Sequence, residues 1–297
     1  MLPAQLDIFE HSRDTMLRND VVAALERRDA RAARYAWRTF AGEFALDATL
    51  APLAVLVDAL ERATVVPLSD HDAVREARRT MADSIEPAAR RSLGDHTAAR
   101  WLAPLWRELA TRAASLPFVA DRSDDHAAAL CLRGGDCAAA VRAVAGIESW
   151  RRIPAPLSWM AQARYRLGGL DDAWALMAEL AWLASGRFGQ LVTLLADPVL
   201  DRLRREFEAD FEANPASADD GQDLAWFPAW VLTRHAALAG PLGQAQPGLH
   251  ASAEQALRLM LELLGLERQG RHRDLVTRRK VLRDLQPSLY AAYMATR

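Results

Sequence analysis

Imidazole binds metals and moves protons near neutral pH, so the seven histidines are weighed first. They are His11, His71, His96, His126, His235, His250 and His272. No two stand four residues apart, as on a helical zinc site, and no HExxH pattern occurs. Two segments place carboxylates beside a histidine, SDHD at 69–72 and DRSDDH at 121–126. Such oxygens and nitrogens suit a divalent cation, but Asp and Ser at a helix start also accept backbone N–H groups and oppose the positive end of the dipole. Capping accounts for both segments, and no metal is expected. Nucleophilic catalysis finds no GxSxG elbow, and Cys131 and Cys137 lie in apolar helical contexts. RGGD and LGGL lack the GxxxxGK and GxGxxG spacings that cradle phosphate, so their glycines read as helix-closing turns. Glu206/Glu208 and Asp171/Asp172 read as exposed or capping pairs. Neither a catalytic residue nor a cofactor is expected.

Aromatic and basic residues are the next candidates. Trp101, Trp106, Trp174 and Trp182 fall on apolar stripes and read as core, whereas Trp150, Trp159, Trp226 and Trp230 fall near loops or helix starts. Trp150 and Arg151 in SWRR combine an aromatic with guanidinium, a pairing common at protein interfaces, although the simpler reading is that Trp150 staples its loop to the core. The run 271–283 forms an amphipathic basic helix, with Leu275, Val276, Leu282 and Leu285 as its apolar side. Nucleic-acid binding through it is one alternative, and a solvated helix face is the simpler reading. His235, His272 and Tyr290 are the titratable groups an enzyme site near the C-terminus would use.

Elements that position these groups are helical throughout. Ala, Leu, Arg and Glu dominate, and period-2 alternation of β-branched residues is absent. A hydrophobic share of 51% with 26% charged residues suits a folded chain with a sizeable core. The net charge of -2 gives no global pull toward nucleic acid or anionic lipid. Lys280 is the sole lysine among 37 basic residues, a skew that reads as a GC-rich, bacterial-like genome. Two cysteines are too few for a disulfide framework. The N-terminus lacks a secretory pattern, and the longest apolar run, Leu224–Leu232, is half a membrane span and contains Pro228, so a cytoplasmic protein is expected. Helix starts are expected at Asp47, at Ser69 or Asp70, and at Asp197 before Pro198; Pro87 suits a first helical turn. Trp101, Leu102, Leu105, Trp106 and Leu109 form one stripe of a helix over 97–115.

One internal repeat organises the chain. Ala128, Gly135, Cys137, Ala140 and Val144 have counterparts Ala161, Gly168, Leu170, Ala173 and Met177, each 33 residues later. Each copy reads as a helix, a glycine turn, and a second helix with small residues near its start. A period of about 34 residues built from a helix pair resembles the tetratricopeptide-repeat family. The resemblance is clearest over 124–213. It implies an all-α solenoid of antiparallel helix pairs over 1–213, a linker at 214–222 and a C-terminal helical module over 223–297.

That resemblance also implies a concave groove lined by the first helix of each unit. Its alignment places Arg133 with Arg166 as candidate anchors, and Asp125 with Ser158, Ala129 with Gln162, and Leu132 with Tyr165 as neighbouring rungs. Paired guanidinium groups would hold an acidic segment or a C-terminal carboxylate of a partner. The expected function is therefore a non-enzymatic protein–protein interaction scaffold or adaptor. The alternatives are an enzyme or enzyme subunit using the C-terminal module, or nucleic-acid binding through the basic helix.

Overall fold

Strong helix formers separated by capping and glycine signals give a computed structural model in which every regular element among the described residues is helical. The structure describes residues 4–62, 66–211, 223–248 and 251–297; the linker expected at 214–222 lies outside them. Contacts divide the chain into two compact units, Met1–Asp136 and Cys137–Arg297, so the boundary falls inside the first copy of the repeat. No helix among the described residues is long and apolar enough to cross a membrane.

In the first unit, α1 (Ala4–Glu26) packs on α2 (Ala30–Glu43) through a turn in which Arg28 takes a left-handed φ of 56°. Asp29 caps α2 by accepting the Ala32 N–H at 2.9 Å. α3 (Leu50–Glu61) buries Leu50, Leu53, Leu56, Val57 and Leu60. Asp47 stands two residues before the cap position: its carboxylate takes the N–H and hydroxyl of Thr49 at 2.7 and 2.6 Å. α4 (His71–Arg79) starts at Asp70, which accepts the Ala73 N–H at 2.8 Å.

α4 runs through a π-turn at Thr80–Ile85 into α5 (Glu86–Leu93), with Pro87 in the first turn of α5. The Glu86 N–H reaches back to the Met81 carbonyl, one residue further than in an α-helix. Pro87 has no N–H to give and its ring would press on the carbonyl four residues back, so the wider turn relieves both demands. α6 (Asp95–Ala113) buries its whole expected stripe, Trp101, Leu102, Leu105, Trp106 and Leu109. A 3-10 turn at Ala120–Asp125 then leads to α7 (Ala127–Arg133), which ends at Gly134 and Gly135. A Cβ on Gly134 would meet Arg107 Cγ at 2.7 Å, so glycine is required where α7 ends against α6.

In the second unit, α8 (Cys137–Ala145) and a 3-10 turn at Trp150–Arg152 precede α9 (Pro154–Leu183). Gly169 breaks α9 with φ 77° and ψ −163°, giving two helical arms where the sequence reads a glycine turn. The left-handed glycines Gly135 and Gly169 stand 34 residues apart, while the fully buried alanines Ala140 and Ala173 stand 33 apart. Gly168 answers a different need, because a Cβ there would lie 2.0 Å from Asp172 Oδ2. α10 (Ser185–Leu195) follows, and Asp197 caps α11 (Pro198–Asp210) through the Val199 and Leu200 N–H groups at 2.8 and 3.1 Å.

The remaining helices are α12 (Phe227–Arg234), α13 (Ala239–Gly243), α14 (Ser252–Arg268), α15 (His272–Leu285) and α16 (Pro287–Ala295). α12 and α13 pack on α9, while α14 packs on α12 and α15. An aromatic knot joins α11 to α12. Phe207 stacks on Phe211 at 4.7 Å between centroids and meets Phe227 and Trp230 edge-on at 5.6 and 5.5 Å.

Candidate functional site

Arg151, singled out from SWRR, lines the most enclosed of the clefts described here. It is placed by the 3-10 turn Trp150–Arg152, whose entry residue Ser149 takes a left-handed φ of 54°. The Arg151 guanidinium lies 4.9 Å from the centroid of the half-buried Trp150 ring, and its Nη1 donates to Glu179 Oε1 at 2.7 Å. Glu179 and Trp182 are three residues apart on one face of α9, which brings both to the same wall. Across from them, the loop Gln246–Gly248 is fastened by two carboxylates: the Gln246 N–H donates to Glu179 Oε1 at 2.8 Å and the Gly248 N–H to Glu254 Oε1 at 3.0 Å. Arg151, Arg152, Glu179, Trp182 and this loop enclose about 180 Å³.

The charge balance of this cleft follows from who is already paired. Glu179 is only 7% exposed, and burial pushes its carboxyl above the ordinary range against the pull of the Gln246 N–H and Arg151. Its Oε2 takes no hydrogen bond among the described residues. Arg258 sits 5.8 Å from the Trp182 ring centroid and donates to the Ala245 carbonyl at 2.6 Å. Arg151, Arg152 and Arg258 thus stand against Glu179 and Glu254, leaving one positive charge in excess.

This chamber shares Trp182, Leu183 and Ala251 with a larger trough of about 590 Å³, whose lining includes Trp226, Ser252 and Gln286. Two half-buried tryptophans with a polar, cation-edged end can hold an extended segment by stacking and charge-assisted hydrogen bonds. Trp182 reads as core from its stripe, yet it is half-buried and lines both spaces. Glu179 and Glu254 went unremarked in the sequence. The signal available was a lone carboxylate inside an apolar run, as in LMAELAWL, where an unpaired charge is costly to bury.

The other expected groove residues divide between the two units. Arg133 ends α7 in the first unit, exposed, with its guanidinium 4.5 Å from the Trp106 centroid at a second cleft bordered by Glu86, Arg90 and Asp95. Arg166 lies in the second unit, exposed over its neighbour Tyr165 at 5.7 Å. The Tyr165 hydroxyl donates to Asp197 Oδ2 at 2.7 Å, tying α9 to the cap of α11. Burial pushes Asp197 up, but that hydroxyl with the Leu200 and Val199 N–H groups outweighs it and holds the carboxyl below its ordinary value. Gln162 is half-buried and Ser158 is 9% exposed.

Asp125 is 2% exposed, and its two oxygens are taken by Arg78 Nε at 2.8 Å and Arg75 Nε at 3.3 Å. The carboxylate that the repeat alignment puts on a groove rung is thus engaged inside the first unit. Around it the two histidine-bearing segments converge, although they are some fifty residues apart. Arg122 also reaches Asp72 at 3.1 Å. His126 accepts the Ala128 N–H at Nδ1 (3.2 Å) and meets the Phe118 ring edge-on at 5.7 Å. Burial, reinforced by the nearby His71, lowers His126 to a pKa of about 4. Both ring nitrogens of His71 are buried and have no hydrogen-bond partner among the described residues. No group of three metal-binding side chains forms among the described residues.

The basic helix is largely neutralised. In α15, Arg278 pairs with Glu262 at 2.9 Å, Arg279 with Glu267 at 3.4 Å, and Arg271, which precedes the helix, with Asp274 at 2.7 Å. Arg283 lies 3.7 Å from Asp284, which leaves Arg273 and Lys280 as the cations of this helix without an ion pair among the described residues, fewer than a phosphate-tracking surface needs. His235, His272 and Tyr290 line none of the clefts described here. Compared with protein families, curated proteins and solved structures, the chain matches none.

Proposed function

We propose that this chain is a non-enzymatic interaction protein, and that its second unit receives a peptide or partner segment in the cleft that runs from Arg151 and Glu179 past Trp182 to Trp226. The observation that carries this reading is the continuity of a cation-edged chamber with an aromatic trough. Peptide recognition uses such surfaces, with aromatic faces supplying contact area and a few fixed polar groups setting the register. The tetratricopeptide-like organisation belongs to the same proposal: helix pairs around Gly135 and Gly169 act as units of a repeat region over 1–213, with 223–297 as an appended module, in a cytoplasmic adaptor.

The test is selection of peptides from a random library on the full chain, followed by titration of the selected sequences. Trp182→Ala removes the shared wall, and Ala251→Trp fills the passage between chamber and trough. Both variants should weaken selected peptides by about tenfold or more, since a buried aromatic contact contributes about 2 kcal/mol or more. Peptides bound equally well by wild type and by both folded variants would refute this location for the site.

A further inference from the structure

A second cleft lies within the first unit. α3, the π-turn and α6 each turn one face toward a common cleft of about 370 Å³. From α3 come Val55, Asp58 and Ala59, with Arg62 just past its end, and from α6 come Leu105, Glu108, Leu109 and Arg112. Both sets follow the i, i+3, i+4, i+7 spacing of one helix face. The floor is Met81, Ile85, Leu105 and Leu109, each less than a tenth exposed. The π-turn matters here, because its extra residue widens the helix at Thr80, Met81, Ser84 and Ile85, the four positions through which it lines the cleft.

Its length decides the size of the occupant. Seven residues of helix wall correspond to about 10 Å, too short to seat a partner helix along its axis but long enough for a small chain-like molecule, and the volume falls in the range of small-ligand sites. The polar groups decide its charge. Asp58 is already engaged by Arg34 and lies 3.6 Å from Arg62, and Glu108 stands in the field of Arg28. Among the described residues Arg112 spends only its Nε, on the Val66 carbonyl at 3.0 Å, so its Nη groups carry N–H donors unspent there, as do Nε and Nη1 of Arg62. Both arginines end the cleft-facing rows of their helices. Asp58 is engaged, whereas Arg62 and Arg112 keep N–H donors open among the described residues, so the mouth suits an anionic head above an apolar floor.

We infer that this cleft binds an amphiphilic carboxylate, an unbranched acyl chain lying on Met81, Ile85, Leu105 and Leu109 with its head at Arg62 and Arg112. The experiment is calorimetric titration of the full chain with decanoate below its self-association concentration, beside decanol and decyltrimethylammonium. Decanoate should bind saturably at one site. Decanol and the ammonium should bind about tenfold more weakly or worse, because each lacks the charge-assisted pairing. Ala59→Phe should fill the cleft and abolish binding with helix content unchanged; if that variant does not fold, Thr80→Trp at the exposed rim replaces it. The double variant Arg62→Gln/Arg112→Gln should weaken decanoate to the level of decanol. Absence of saturable decanoate binding, equal binding of the ammonium, or undiminished binding by a folded cleft-filled variant would each overturn the assignment. So would co-sedimentation with phosphatidylglycerol vesicles in place of free decanoate binding. Peptide capture by the second unit is read separately and is untouched by any of these outcomes.

Discussion

Histidine 126 makes the first unit's stability depend on pH in a window that its carboxylates do not share. Its pKa falls from 6.5 to about 4 because burial, reinforced by His71, disfavours the imidazolium. As pH drops, the unfolded chain therefore takes up a proton before the folded chain does. Stability is complete above about pH 6.5 and is lost as pH falls from there toward 4. One pKa unit corresponds to about 1.4 kcal/mol, and the two-state proton balance between pH 7 and pH 5 gives a loss of about 2 kcal/mol. The acids of this unit held below their ordinary values, among them Glu43, Asp47, Glu61 and Asp70, give up their contribution only at lower pH. His126→Asn is the matching variant, because asparagine keeps an acceptor for the Ala128 N–H and cannot titrate. Urea denaturation at pH 7 and pH 5 should show the wild type losing about 2 kcal/mol more than the variant over that interval. Parallel pH dependence in the two proteins would refute the burial argument, since no other difference between them titrates there.

Three further outcomes are expected. Asp125→Asn removes the acceptor shared by Arg75 and Arg78 and should destabilise the chain by about 1–3 kcal/mol, read from the denaturation midpoint. Gly169→Ala forces a side chain into a region that only glycine occupies freely, and should cost about 1–3 kcal/mol while leaving the circular dichroism helical. Phe207→Ala empties the aromatic knot at α11 and α12 and should cost about 3–5 kcal/mol; a change below 1 kcal/mol would mean the neighbouring rings collapse into the space.

Much of the helical architecture is legible locally. The Asp70 and Asp197 caps, the α6 stripe and the glycine turn in α9 each depend on residues within about one helical turn of one another. Legibility stops where partners are distant in sequence. Nothing near SDHD announces that DRSDDH will pack beside it, and Arg75 and Arg78 read as two arginines among many until Asp125 is buried between them. The candidate site shows the same divide. Arg151 is visible in its motif, but its pairing with Glu179 and the loop at Gln246–Gly248 depends on long-range packing of α9 against α13. Trp182 is misjudged because a stripe position next to a helix end can serve as wall and core at once. The π-turn has a sequence cause in Pro87, yet proline at that position is equally compatible with a fresh helix start.

That π-turn also acts as a phase adjuster. An α-helix advances about 100° per residue, so one surplus residue rotates everything downstream relative to everything upstream. Val74 on α4 and Ala88 and Ala89 on α5 are all buried, on opposite sides of the turn. The wide turn absorbs the surplus residue and lets both stretches keep their apolar side inward along one continuous rod. Chain length and facing direction are thereby uncoupled at Thr80–Ile85, so a one-residue deletion there could be absorbed by reverting to ordinary α pitch. The same deletion in α6, which has no such slack, would turn Trp106 and Leu109 away from the core.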